Sequence, residues 1–335
     1  MQQTLAIGTI SMGWHPSHSL ESKIYAAKQF GIAGIELFDQ DLNKFAKSHV
    51  ISRLEAADGI GRLCKDAQLT IISYTSFGSF EGQPTPLSSR LETAREWCEI
   101  ARRLGTTIIQ VPSNFDAEAI GDEGVIVAEL QALADLGLRQ SPSISFAYEA
   151  IAWGKHVADW EESLHMVQLV DRPNFGLCLD TYHVVARLWA DPTTLCGRRP
   201  GGDTALRASL QRFRDACPTD KIFYIQISDA EQARPPIQPG HPAYREDEHV
   251  LHSWCLDGRI PPFDTEHGAY LPLEEILSAW LVESRYTGWV SMEVFHRSMN
   301  GENSTPDVWA KRARESWDKI QKLLQERSQG TLKIH

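Results

Sequence analysis

Ile144-Ser145-Phe146-Ala147-Tyr148-Glu149 is followed after a loop by Asp159-Trp160-Glu161-Glu162, and then by Pro173-Asn174-Phe175-Gly176-Leu177-Cys178-Leu179-Asp180. The first run is apolar, rich in strand formers, and stops at a carboxylate. Asp159 and Glu162 have the spacing of a capping box, which predicts a helix running to Val170. Pro173 and Asn174 turn the chain into a second apolar run that also stops at a carboxylate. Short continuous apolar runs mark strands covered on both faces. A covered strand, a helix and another covered strand make a parallel crossover unit.

The same unit recurs along the chain. Leu5–Ile10, Ala33–Leu37, Thr70–Tyr74 and Thr107–Val111 read as the first four strands, Ile144–Tyr148 and Phe175–Leu179 as the fifth and sixth, and Ile222–Ile227 and Trp289–Val294 as the last two. Glu21–Phe30 predicts a helix stopped by Gly31. Leu91, Ala94, Cys98 and Ala101 repeat at helical spacing before Gly105. Val125–Leu136 and Leu206–Arg214 predict further helices. Thr305-Pro306 opens a last helix to about Arg327, an N-cap followed by proline at the first position. Eight strand–helix units are the count of a closed parallel (β/α)8 barrel, here one domain over residues 1–335. An open doubly wound sheet is the alternative, but no G-x-G-x-x-G follows a predicted strand. Gly59-Ile60-Gly61 lies inside a helical stretch and reads as a packing feature. Residues 229–272 form a long excursion after the seventh strand, expected to act as an active-site loop. Asp191–Asp203 is a smaller insertion.

The 335 residues carry 33 Lys+Arg against 44 Asp+Glu, a net charge of −11. Nucleic acid and anionic membranes bind cationic surfaces, so neither is an expected partner. The start, from Met1 to Gly8, has no basic segment followed by an apolar one, so no leader is expected. No apolar run is long enough to span a bilayer. The six cysteines form no C-x-x-C pair, which suits reduced thiols in the cytoplasm. A small-molecule substrate is the expected partner, and a homo-oligomer is compatible with the sequence.

Barrel chemistry sits where strands end. The fifth, sixth, seventh and eighth strands finish at or beside Glu149, Asp180, Gln226 and Glu293. Three carboxylates meeting in a low-dielectric mouth repel unless a cation lies among them. The oxygen donors favour one divalent ion, Mg²⁺ or Mn²⁺, with Co²⁺ within the same preference. The alternative is that each group caps the helix that follows. His183 and His156 stand close behind these positions as candidate acid–base groups. His241, His249, His252 and His267 of the excursion read as solvated or packing groups. Trp14, Tyr74, Phe77 and Trp153 would ring the same mouth. Glu36 in the second strand would orient a histidine or a substrate hydroxyl, or bind a neighbouring loop.

Several segments carry a family resemblance: Gln110-Val111-Pro112-Ser113-Asn114-Phe115, Tyr148-Glu149-Ala150 with Trp153-Gly154, Asp171-Arg172-Pro173-Asn174-Phe175-Gly176, Tyr224-Ile225-Gln226, and Gly288-Trp289-Val290-Ser291-Met292-Glu293. The chain resembles the xylose-isomerase-like TIM barrels. Among them it is most similar to the fungal-type 3-dehydroshikimate dehydratases of quinate catabolism. The resemblance implies a metal-dependent lyase that converts 3-dehydroshikimate to protocatechuate. It also implies that Glu149, Asp180, Gln226 and Glu293 hold the metal. Arg259 would hold the substrate carboxylate, with Tyr74, Ser113 and Lys155 completing the candidate substrate-binding set. Such dehydratases carry Ser-Trp-Ser-Arg-Asn-Ala-Arg where this chain reads Ser253-Trp254-Cys255-Leu256-Asp257-Gly258-Arg259, so one arginine has become Leu256. Their third strand leads into Gln-Pro-Phe, where this chain has Thr75-Ser76-Phe77-Gly78. These departures keep two alternatives open: a sugar or ketose isomerase or epimerase using the same metal, and a biosynthetic dehydratase or isomerase for a less acidic ring. A catalytically inert barrel that binds a ligand is a further reading.

Overall fold

A computed structural model describes residues 3–332, so Met1 and Gln2, on which part of the leader reading rests, lie outside the described residues. Eight parallel strands close into a barrel: β1 Thr4–Gly8, β2 Gly34–Phe38, β3 Thr70–Thr75, β4 Ile108–Pro112, β5 Ser145–Glu149, β6 Phe175–Asp180, β7 Ile222–Ile227 and, after two short strands, β10 Trp289–Met292. The order around the barrel is β1-β10-β7-β6-β5-β4-β3-β2. The (β/α)8 barrel expected from the alternation is the fold observed.

The outer layer comprises α1 Leu20–Gln29, α2 Asp39–His49, α3 Arg53–Ala67, α4 Leu87–Leu104, α5 Glu123–Leu138, α6 Trp160–Val170, α7 Thr181–Leu188 and α8 Gly202–Ala216, with α9 Val250–Gly258 in the excursion and then α10 Leu273–Leu277 and α11 Pro306–Leu332. Local chemistry explains their ends. Ser52 and Glu55 form a reciprocal capping box at α3. Asp159 accepts from the Glu162 N–H at 2.9 Å, while the Glu162 carboxylate reaches past the cap to the Ala158 N–H at 2.7 Å. The predicted cap is therefore real, but its return bond lands one residue earlier than a strict box. Gly61 allows a close approach of α3 to α4, since a Cβ there would lie 2.9 Å from the Arg103 carbonyl oxygen. A fully buried ion pair, Lys23 with Asp41 at 2.8 Å, ties α1 to α2.

The main core lies between the strands and the helical ring. Inside the barrel, Ala6, Ile72, Ala147, Cys178 and Tyr224 form an apolar layer. Above it, toward the carboxyl ends of the strands, the interior turns polar. The register places Gln110 beside Ala147, Pro112 beside Glu149 and Asp180 beside Gln226. Side chains alternate along a strand, so Gln110, Glu149, Asp180, Gln226 and Glu293 all share the inward face.

The excursion 229–272 is not structureless. It begins with β8 Asp229–Ala230, runs through α9 Val250–Gly258, and returns as β9 Arg259–Ile260, antiparallel to β8. Asp229 anchors its base, accepting from the N–H groups of Ala230 at 2.8 Å and of Tyr270 and Leu271 at 2.9 Å.

Candidate active site

Glu149 ends β5 and Asp180 ends β6, and both are buried at the mouth. His183, on the first turn of α7, lies between them. Its Nε2 is 3.5 Å from Glu149 Oε1 and 3.7 Å from Asp180 Oδ2. One donor atom from each of the three residues falls within 4.8 Å of the others. Glu293 follows β10 and joins the group through Arg259. That guanidinium donates from Nη2 to Asp180 Oδ2 at 2.6 Å and from Nη1 to Glu293 Oε2 at 2.9 Å. Gln226 stands beside Asp180 in the barrel register. Its amide nitrogen donates to Glu293 Oε1 and to Glu36 Oε2, each at 3.0 Å, while its oxygen accepts from the Cys178 thiol.

The electrostatics are those of a site short of positive charge. Burial, then the charges of Glu293 and Asp180, push Glu149 well above the usual carboxylate range. Burial also pushes Glu293 well up and raises Asp180 and Glu36, although Arg259 opposes this at Glu293 and Asp180. Burial, with Arg259 nearby, drives His183 well below its ordinary value, so its imidazole is neutral. Glu149 Oε1 is buried with no hydrogen-bond partner, an unmet acceptor of the kind a cation would satisfy. A divalent cation fits this donor set: Glu149, Asp180 and Glu293 would hold it, with Gln226 joining after a half-turn of its amide presents oxygen. Asp180 also caps α7 through Oδ1 and the Tyr182 N–H at 2.7 Å. The capping alternative therefore describes one of its oxygens, while the other faces the mouth and accepts from Arg259.

The His183 ring is fixed in one tautomer. The Ala152 N–H donates to Nδ1 at 3.0 Å, so Nδ1 must be the bare nitrogen. In the neutral ring Nε2 carries the hydrogen, and Nε2 is the atom facing the two carboxylates.

The other expected residues are placed elsewhere. His156 is exposed, its Nε2 2.8 Å from the Ala119 carbonyl, and it does not reach the cluster. Lys155 is exposed on the same loop. Ser113 is fully buried and its Oγ accepts from the Ile151 N–H at 3.1 Å, shaping the loop after β5. Tyr74 points out of the barrel. It packs against Trp97, with centroids 4.2 Å apart and planes tilted by 32°, and its hydroxyl binds Asp39. Phe77 packs in the same outer group. Trp14 packs beside Phe295, and Trp153 lies edge-on to His183 with centroids 5.0 Å apart. Arg259, the expected holder of a substrate carboxylate, is buried at the mouth. Nε donates to Ser228 Oγ at 2.9 Å and Nη1 also approaches the Cys255 sulfur. Four of its five N–H groups are engaged, and the remaining one cannot form a two-pronged clamp. Glu36 orients neither a histidine nor a loop. It forms the floor beneath Gln226 and accepts from Ser73.

Two participants escaped the strand-end reading. Gln110 donates to Glu149 Oε2. It sits two residues before the end of β4, so only its inward parity signals it. His252 on α9 stacks on Trp153, centroids 4.6 Å apart and planes 23° apart, which brings an imidazole of the excursion to the mouth.

A family model described as xylose isomerase-like TIM barrel matches residues 24–323, and the chain belongs to that family. Within it, the chain is 37% identical over 337 residues to the 3-dehydroshikimate dehydratase of Neurospora crassa, covering 96% of this chain and 94% of that protein. It is 30% identical over 231 residues to the 3-dehydroshikimate dehydratase of Pseudomonas putida, covering 69% of this chain but only 31% of that longer protein. Among solved structures, a xylose isomerase-like TIM barrel/4-hydroxyphenylpyruvate dioxygenase fusion protein superposes over 99% of this chain and 44% of its own. Its TM-score is 0.76 and its identity 26%.

Proposed function

We propose that this chain is a divalent-cation-dependent 3-dehydroshikimate dehydratase, a hydro-lyase giving protocatechuate. The observation that carries this reading is the meeting of Glu149, Asp180 and Glu293 at one mouth, with Glu149 Oε1 unpartnered, in a chain alike throughout its length to a dehydratase of that name. Mg²⁺ or Mn²⁺ suits the oxygen donors, with Co²⁺ as an alternative. When bound, the cation supplies Lewis-acid polarisation of a ketone.

The protein's own residues supply the proton transfers. Elimination takes the proton from the carbon between the ketone and the leaving hydroxyl, and that hydroxyl departs with a proton as water. A further shift of a ring proton completes the aromatic product. Asp180 and Glu293 each have both oxygens hydrogen-bonded within the protein, whereas Glu149 Oε1 has no such partner, so Glu149, while also a cation ligand, is the carboxylate that accepts the proton. His183, held as the Nε2–H tautomer by Ala152, donates toward the leaving oxygen rather than acting as the base. His156 has no part. Gln110 steadies Glu149. α9, with His252 against Trp153, covers the mouth and limits water there.

A second reading, a sugar or ketose isomerase using the same carboxylates, is favoured by one observation. Arg259 has no free two-pronged edge for a carboxylated substrate. Purified protein loaded with Mn²⁺ should be given 3-dehydroshikimate and a neutral ketose in parallel, with products identified by NMR. Protocatechuate without epimerised ketose supports the dehydratase, and the reverse supports the isomerase. The six free cysteines support a cytoplasmic setting.

A further inference from the structure

Arg259 is the residue at which α9 meets the catalytic mouth, and it is fully buried. Its backbone N–H donates to the Phe295 carbonyl at 2.9 Å, so β9 is pinned beside the chain leaving β10. Its guanidinium lies between the rings of Tyr182 and Phe295, 4.7 and 5.2 Å from their centroids. Tyr182 in turn donates from its hydroxyl to the Leu251 carbonyl on α9 at 2.8 Å. One planar fork therefore spans Asp180 and Glu293, while the faces of the same group hold the residues on which α9 rests.

We propose that Arg259 is a positioning residue coupling the cation site to the lid: it fixes Asp180 Oδ2 and Glu293 Oε2 and thereby holds α9 closed over the mouth. This rests on the reading that those carboxylates hold a divalent cation. Of three carboxylates at the mouth, the guanidinium offsets one, leaving two negative charges for a doubly charged ion. Arginine suits this position because its rigid planar fork bridges two acceptors and stacks on both sides, which the single ammonium of lysine cannot do.

The test uses the full chain stripped of metal by chelation. Mn²⁺ binding is measured by calorimetry, the bound ion by its electron paramagnetic resonance spectrum, and lid order by hydrogen exchange over residues 250–260 with β4 and β5 as internal controls. Arg259→Met should weaken Mn²⁺ binding by about 10- to 100-fold, the usual effect of losing a group that orients metal ligands. It should alter the Mn²⁺ spectrum and speed exchange in α9 at least about tenfold with β4 and β5 unchanged. Arg259→Lys, which keeps the charge, should recover part of the affinity but not the lid protection. Should Arg259→Met not fold, Arg259→Lys carries the test by that split between affinity and protection. Wild-type exchange in α9 of the variant that folds, or an affinity within about twofold of wild type with an unchanged spectrum, would overturn the proposal. None of these readouts needs turnover, so a protein that converts a ketose instead would defeat the dehydratase reading and leave this one standing.

Discussion

Replacing Glu149 by Gln should change stability in opposite directions with and without a divalent cation. In the cation-free protein Glu149 is a buried carboxyl with one unpartnered oxygen, its pKa pushed well up by burial and by its acidic neighbours. A group raised in this way favours the folded state fully below its unfolded value of 4.5, and that contribution is lost as pH rises through the folded value. Each unit of the rise costs about 1.4 kcal/mol at pH above both values, or roughly 3–6 °C in Tm at about 2–4 °C per kcal/mol. Gln avoids that cost, so the cation-free variant should melt above wild type at pH 7, with the gain fading toward pH 4.5. With cation at a hundred times its Kd, wild type should gain about 2.7 kcal/mol, or about 5–11 °C. A hundredfold loss of affinity in the variant would leave about 0.4 kcal/mol of that gain. Differential scanning fluorimetry with and without Mn²⁺, between pH 5 and 8, reads both effects. The reasoning is refuted if the variant keeps the wild-type Mn²⁺ shift, or if it melts below wild type at pH 7 without cation.

Two further outcomes follow from single contacts. Lys23→Met should cost about 3–5 kcal/mol in urea unfolding by leaving Asp41 buried and unpaired, and adding Asp41→Leu should recover most of it. Nitrogen NMR of His183 in the resting protein should show a bare Nδ1 and a protonated Nε2, and His183→Asn should lower kcat about 10²- to 10⁴-fold with little change in KM. A protonated Nδ1 would remove the argument that His183 donates.

The barrel was legible because each strand is covered on both faces. Such strands read as continuous apolar runs, and the polar residue that stops each run is the one exposed to the mouth. Glu149 and Asp180 were found this way, and Phe175–Leu179 fell one residue short of β6 because its last member is Asp180 itself. What stayed hidden depended on parity or on long-range pairing. Tyr74 stands between Ser73 and Thr75, whose hydroxyls bond inward to Glu36 and Gln110, so alternation turns Tyr74 outward. The same alternation would have revealed Gln110. His156 is near Glu149 in sequence, but the turn at Gly154 carries it to Ala119, whereas His183 starts a helix directly at a strand end. The engagement of Arg259 follows from β8 pairing with β9, a contact no local pattern in 229–272 announces.

The central claim is that one divalent cation, held by the strand-end carboxylates, supports dehydration of 3-dehydroshikimate. The most direct measurement adds Mn²⁺ stepwise to chelator-treated protein in the presence of that substrate and follows protocatechuate absorbance. No product should form before addition, and the rate should saturate at one ion per chain. Fully loaded protein that forms no protocatechuate, or a rate indifferent to the cation, would contradict it.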